Sequence, residues 1–399
     1  MKVLYIGADG LPTGASFSMA KLIEEEEKFG IDVIPVVHKG NTDRLLNENG
    51  KRHYVVNTWS WMVSRDASPI KVMLFRVIKG TLNIPCYFQY KKIIRKESPD
   101  IVHLNALTTY TGAQAALRMK KPLVWHIREM MEEDLNGRFW SKRQAYGLMR
   151  KADCFIAISK CVGKKYKEIV GADHIRCIYN GVDKDLFYHV NHTIFTQNKI
   201  FITMAGRITR EKGQLQCLES LAPLLLENPN LILRFAGEGN EDIISELICI
   251  RDKNGLSNSQ VQLLGFVKEM DRLWSETDIA IIYSRFEAFG RVTVEAKMAG
   301  ALVIGFDSGG TSELIEDGVD GYLFDEKKRT LYDTVKLSLD NKESSRAIAI
   351  TGRESASQIF TSENNAKQIY QLYQEILNEN RQDYCGKRCD EITFIKVQQ

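Results

Sequence analysis

No Cys-x-x-Cys pair occurs in this chain, and its 8 cysteines are scattered. A structural zinc site is therefore not expected, and Cys385 and Cys389 lie in the polar tail. Cys154, Cys177, Cys217 and Cys249 sit in or beside apolar segments and read as buried thiols, a usage that suits a reducing cytosol. No apolar run nears the roughly 20 residues that a spanning helix needs. Met1–Gly7 enters a strand pattern at once, which reads as a chain without a secretory signal and predicts a cytoplasmic location. Charge of one sign is scarce overall: 54 basic side chains face 51 acidic ones, a formal net of +3, too little to imply nucleic acid. The Gly-x-Gly-x-x-Gly fingerprint of dinucleotide folds is also missing. Gly7, Gly10 and Gly14 follow the first apolar run at another spacing, and no acid closes the second run near Val37. There is no internal repeat and no low-complexity segment.

What is present is a regular alternation. A chain of 399 residues with 44% hydrophobic and 26% charged residues fits two soluble domains. Val3–Ile6, Val33–Val37, Ile101–Leu104, Leu123–Trp125 and Cys154–Ile158 read as strands of one half. Ile200–Ala205, Leu231–Ala236, Val261–Leu264, Ile279–Tyr283 and Leu302–Phe306 read as strands of the other. Helical patterns separate them, so the fold class is α/β, with two doubly wound parallel-sheet domains. The expected boundaries are 1–185 and 186–360, then an amphipathic helix at 361–380 and a polar tail at 381–399. Ligands of such domains bind at the carboxyl ends of the strands, in a cleft that the two domains face.

The most informative segment is Tyr283-Ser-Arg-Phe-Glu287-Ala288-Phe289-Gly290-Arg291-Val-Thr-Val-Glu295-Ala296. Glu287 falls in a strand-to-helix loop and Glu295 in the helix. The amides near Phe289, Gly290 and Arg291 open that helix and make it an anion site. A carboxylate on each side of a phosphate cradle suits a nucleotide sugar. Upstream, Gly206-Arg207-Ile-Thr-Arg-Glu-Lys212-Gly213 follows the first strand of the second half. Arg207 suits bidentate phosphate contact and Lys212 a point charge.

These segments resemble the signatures of the retaining glycosyltransferases of family 4, which have the GT-B fold. The resemblance is dense from about residue 200 to 325 and looser before. It implies that Glu287 contacts the donor sugar, Glu295 the ribose, and Arg207 and Lys212 the leaving diphosphate. It assigns further donor contacts to Gly14, Gly206, Gly237, Val267, Ala288, Phe289, Gly290 and Arg291. Thr13-Gly14 stands where many relatives carry two glycines. His126, in Trp125-His-Ile-Arg-Glu129, matches a histidine that lies close to the transferred sugar; it is expected at a strand end facing the cleft, and counts with Glu287, Arg207 and Lys212 as catalytic. His103 is expected to be scaffold, and the glycines of Gly309-Gly310 and Asp317–Gly321 to be structural. Asp183-Lys-Asp185 has the form of a metal-binding pair of another fold, but its place after Asn180-Gly181 argues against a metal. No metal or cofactor is expected, and a UDP- or GDP-linked sugar is the substrate. In relatives of this fold the last helix crosses back onto the first domain.

From Lys51 to Ser98 ten cations face only Asp66 and Glu97, a net of +8, with Trp59, Trp61, Phe75, Tyr87 and Phe88 interleaved. This pattern suits an anionic membrane surface or an acidic acceptor, and no nucleic-acid motif accompanies it. The implied activity is sugar transfer to a glycan or lipid-linked acceptor in polysaccharide or glycoconjugate assembly, at the inner face of the membrane. The alternatives are a nucleotide-sugar epimerase of similar architecture and a non-catalytic glycan-binding partner of a transferase.

Overall fold

The computed structural model describes residues 1–7, 14–134, 136–171, 174–188 and 192–381. Two compact units result. The first combines Met1–Gly181 with the chain from Ser362 onward, and the second is Val182–Thr361. The division thus falls after Gly181 rather than after residue 185. Val182 already belongs to the second unit, since its N–H donates to Phe360 O at 2.9 Å.

Among the described residues, nine strands lie in the first unit: β1 Lys2–Ile6, β2 Asp32–Val37, β3 Tyr54–Val55, β4 Met62–Ser64, β5 Ile101–Leu104, β6 Leu123–Ile127, β7 Gly137–Phe139, β8 Cys154–Ala157 and β9 Ile175–Cys177. Seven form a parallel sheet in the order β3-β2-β1-β5-β6-β8-β9, while β4 and β7 pair antiparallel beside it. The central strands are runs of Val, Ile and Leu buried on both faces, the composition that parallel sheets covered by helices require. The second unit holds β10 Ile200–Ala205, β11 Leu231–Ala236, β12 Val261–Gly265, β13 Ile279–Ile282, β14 Leu302–Phe306 and β15 Tyr322–Phe324. Their order is β12-β11-β10-β13-β14-β15, again parallel. Strand order reverses between β1 and β5 and between β10 and β13, and ligands of doubly wound sheets lodge at the carboxyl ends of such switch points.

The helix Ser362–Arg381 joins the first unit. Its apolar stripe, Ile369, Leu372, Tyr373 and Ile376, enters the core that holds Tyr5, Met19 and Ile156. The long helix Pro69–Glu97 begins with Ser68, whose hydroxyl accepts from Lys71 N, followed by Pro69 at the first helical position, both favourable there. No described helix is long and apolar enough to cross a membrane.

Candidate functional site

Two loops of the second unit meet at the carboxyl edge of its switch point. The first leaves β10 at Gly206. Gly237, after β11, lies against it: a Cβ there would sit 1.9 Å from the Gly206 carbonyl oxygen. Only glycine permits that approach, and its φ of 153° is equally restricted to it. Gly206 N–H donates to Ala236 O at 2.9 Å and Ile208 N–H to Glu238 O at 2.8 Å, so the two turns are joined. Arg207 is exposed between them. The chain then makes a short 3₁₀ turn, Arg210–Lys212, and enters the helix Gln214–Glu227 through Gly213. A Cβ at Gly213 would strike the Tyr283 ring at 2.5 Å. Lys212 is therefore carried to the end of β13.

The second loop runs from Tyr283 to Gly290 and opens the helix Arg291–Met298, which has no side-chain cap. The Thr293 N–H donates to Gly290 O at 3.0 Å, and the positive end of the helix dipole faces this loop. Lys212 Nζ donates to Glu287 Oε2 at 2.7 Å. Glu295, almost fully buried, accepts from Arg291 Nε at 2.8 Å. Ala288 and Phe289 are buried and fix the loop. Lys297, on the same helix and 1% exposed, donates to Leu314 O at 2.7 Å and pairs with Asp320 at 2.6 Å. Burial lowers its pKa, opposed by the Asp320 charge. That pair anchors the helix bearing Glu295.

Gly309 and Gly310 hold the glutamate loop, a structural role: Gly310 N–H donates to Glu287 O at 2.7 Å. Cβ atoms at Gly309 and Gly310 would lie 2.8 Å from Glu287 O and Phe289 Cα. The sequence spacing alone carries no sign of this contact. Thr293 and Thr311, on the two helices that leave these loops, have buried hydroxyls without a partner among the described residues. Val267 lies in the turn after β12, at the same sheet edge but two strands from β10. Asp183 accepts from Asp185 N at 3.2 Å and caps the helix Lys184–Phe187.

In the first unit, Gly14 begins the helix Gly14–Lys28, and the rest of its glycine loop, residues 8–13, lies outside the described residues. β6 runs on to Ile127, two residues past Trp125, so His126 lies one residue before the carboxyl end of the strand and is fully buried. Its Nδ1 is 3.2 Å from His103 Nε2, and His103 Nδ1 is 2.6 Å from Tyr373 Oη. Tyr373 O–H donates to Tyr5 Oη, and Tyr5 O–H to Glu26 Oε1, both at 3.3 Å. Burial, with the Arg128 charge nearby, holds both histidines well below their usual range, so they are neutral. Burial pushes Glu26 up to about 8. His126 Nε2 and Glu26 Oε2, the two ends of this chain of polar groups, have no partner among the described residues.

A second surface feature departs from ordinary surface chemistry. Ile70, Met73, Leu74, Val77, Ile84 and Phe88 are each more than half exposed on one helix. Several nearby cations are engaged: Arg52 pairs with Glu97, Lys79 lies 5.1 Å over the Phe75 ring, and Lys91 lies 5.6 Å over Tyr87.

The Glycosyltransferase Family 4 model matches residues 12–186, and the Glycosyl transferases group 1 model matches residues 189–355. An uncharacterized glycosyltransferase of Methanocaldococcus jannaschii is 26% identical over 249 residues, 57% of this chain and 63% of that protein. The Vi polysaccharide biosynthesis protein VipC/TviE of Salmonella typhi is 26% identical over 184 residues, 43% of this chain and 31% of its own length. The chain thus spans 63% and 58% of the first two curated relatives that it matches. Anabaena HepE, crystallised in complex with UDP and glucose, superposes with a TM-score of 0.76 at 22% identity, covering 94% of this chain and 99% of its own. The fold is GT-B. With one family model ending at residue 186 and the next beginning at 189, the chain belongs to the group 1 glycosyl transferases, with a glycosyltransferase family 4 first domain.

Proposed function

We propose that this chain is a retaining, metal-independent glycosyltransferase. It moves a sugar from a UDP- or GDP-linked donor to a glycan or lipid-linked acceptor in polysaccharide assembly at a cytoplasmic membrane surface. The observation that carries this reading is the convergence of Arg207, Lys212, Glu287 and the uncapped helix start at Gly290 on one sheet edge. The UDP and glucose of HepE and the polysaccharide role in the name of the Salmonella relative are consistent with it.

Chemically, the bond from the sugar's anomeric carbon to the diphosphate breaks, and negative charge builds on the leaving oxygen. Arg207, Lys212 and the amides after Gly290 are the groups that stabilise it. Such donors are most effective when fixed in advance, and the glycine contacts at Gly213, Gly237 and Gly310 do that fixing. The acceptor hydroxyl attacks from the face that the diphosphate leaves, and its proton passes to a phosphate oxygen. Glu287 holds the sugar hydroxyls and Glu295 the ribose. His126 Nε2, without a partner among the described residues, is the atom offered to the transferred sugar. The exposed apolar helix face and the flanking cations support docking on anionic lipid.

A panel of UDP- and GDP-sugars, with and without candidate acceptors and with excess chelator, tests the reading. Acceptor-dependent release of nucleotide in chelator is expected. Interconversion of sugars without acceptor would instead establish an epimerase, and neither outcome would leave a binding protein.

A further inference from the structure

A second concavity lies in the first unit, among elements that the loops described above do not use. It is an open hollow of about 500 Å³ with exposed cations on its wall. Its lining comes from the helix Pro69–Glu97, the helix Tyr110–Arg118, the residue after β7, and the helix Lys142–Met149 with the turn that follows it. Three lining residues are cations: Arg76, Arg143 and Lys151. No lining residue is acidic, and none of the three has an ion-pair partner among the described residues. Elsewhere in this unit cations do have carboxylates, as Lys165 has Glu132 at 2.6 Å. Like charges gathered around a concave wall repel one another and raise the local concentration of anions.

The remaining wall is aromatic and fixed. Trp140, partly exposed, meets Tyr110 edge-on at 5.5 Å. Tyr110 stacks on the buried Trp61 at 4.8 Å, and Asn83 Nδ2 donates to its hydroxyl at 2.8 Å. The pocket therefore does not depend on a ligand to order its rings. A pyranose presents an apolar face that packs on an aromatic ring, and Gln144 supplies an amide for hydroxyls. Ring, amide and unpaired cations together define one ligand chemistry.

We propose that this cavity binds an anionic saccharide, a sugar bearing carboxylate or phosphate, as part of the acceptor. The word acceptor rests on the transferase reading; the binding does not. The three cations hold the anionic group, and Trp140 holds the sugar ring beside it. Sequence in the range Lys51–Ser98 contributes one of those cations, Arg76, so part of that basic stretch serves a pocket and not a flat surface.

The test is binding to the full-length protein without nucleotide. The probes are a glucuronate-containing tetrasaccharide, its carboxyl-reduced neutral form, and a phosphate-bearing tetrasaccharide, read by calorimetry and tryptophan fluorescence. At least one anionic probe should bind about tenfold or more tightly than the neutral one, and the tighter of the two names the charged group. Arg143→Gln with Lys151→Gln, and separately Trp140→Ala, should each weaken it about tenfold, while Arg143→Lys retains most of it. Lys327→Gln with Lys328→Gln, in the second unit, changes net charge equally and should have no effect. Equal binding of neutral and anionic probes, an unaffected Arg143/Lys151 double variant, or no binding of any probe would overturn the proposal. Saccharide binding without transfer from any nucleotide sugar would sink the transferase reading and leave the pocket standing. Transfer without saccharide binding would do the reverse.

Discussion

Lys212 Nζ and Glu287 Oε2 lie 2.7 Å apart although 75 residues separate them in the chain. Their side chains are 34% and 15% exposed. The pair joins the loop after β10 to the loop after β13, so the ammonium group of Lys212 is held in place at this sheet edge.

Removing that cation should therefore be felt in turnover. Lys212→Ala or Arg207→Ala should lower the rate of transfer about 10²–10³-fold, the loss typical of one preorganised donor to a developing anion. Thermal unfolding should shift little, because both side chains contact solvent. Steady-state kinetics on the two variants is the measurement, and near-normal rates in both would remove these residues from the mechanism.

The two glutamates should separate by assay. Glu295→Gln should weaken binding of the bare nucleoside diphosphate by about 1.5–3 kcal/mol, the value of a hydrogen bond to a charged group. Glu287→Gln should spare nucleotide affinity and reduce sugar transfer. Calorimetry with UDP and GDP resolves a difference of this size. Equal losses of nucleotide affinity would contradict the division of roles.

Much of this site is legible in the sequence because each part is local. Glu287, Gly290 and Glu295 belong to one strand, loop and helix, and Gly206, Arg207 and Lys212 to another, so spacing alone assigns their places. The contacts that hold the parts together are not local. Nothing near Gly309 or Gly310 indicates that their backbone supports Glu287 and Phe289, since the glutamate loop lies about twenty residues earlier in the chain. No glycine or proline marks the end of β6, so the sequence places His126 near the strand's carboxyl end but does not show that Ile127 extends the strand or that the imidazole is fully buried. Composition likewise does not reveal that so many of the apolar residues between Ile70 and Phe88 face water.

Glu26 gives a prediction in pH. Its carboxyl is fully buried and raised to about 8 in the folded protein, chiefly by desolvation, against an ordinary value of 4.5. Below pH 4.5 both folded and unfolded chains hold the proton, and Glu26 costs nothing. Between 4.5 and about 8 the unfolded chain releases it while the folded chain retains it, so stability falls as pH rises. Above that range the loss is complete, on the order of 5 kcal/mol. Glu26→Gln should flatten this slope, with its advantage over the wild type growing from pH 5 to pH 8 in denaturant titrations. Parallel stability curves for the two proteins would refute the assignment.

Membrane docking is open to a direct assay. The protein should sediment with anionic vesicles at low salt and stay in solution with neutral ones. Raising salt to 1 M shortens the Debye length to about 3 Å and should release it. Reversing Lys91, Lys92, Arg95 and Lys96 should reduce partition, and so should Leu74→Ser with Val77→Ser and Phe88→Ser, which leaves every charge in place. Donor hydrolysis should survive both sets. Wild-type protein that ignores anionic vesicles at low salt ends the membrane reading and favours a soluble acceptor.

The first unit is assembled from both ends of the chain, with Ile369, Leu372 and Tyr373 completing a core begun by Val3 and Tyr5. On the ribosome this reverses the usual order of maturation. Domains ordinarily fold from the amino terminus as they emerge, but here the early residues wait. Val182–Thr361 is contiguous and can close its own core as soon as it is synthesised. The strands before it remain short of one helix until Ser362–Arg381 appears, and His103 lacks its Tyr373 hydroxyl until then. A nascent chain halted before residue 362 thus carries a finished second unit and an unfinished first.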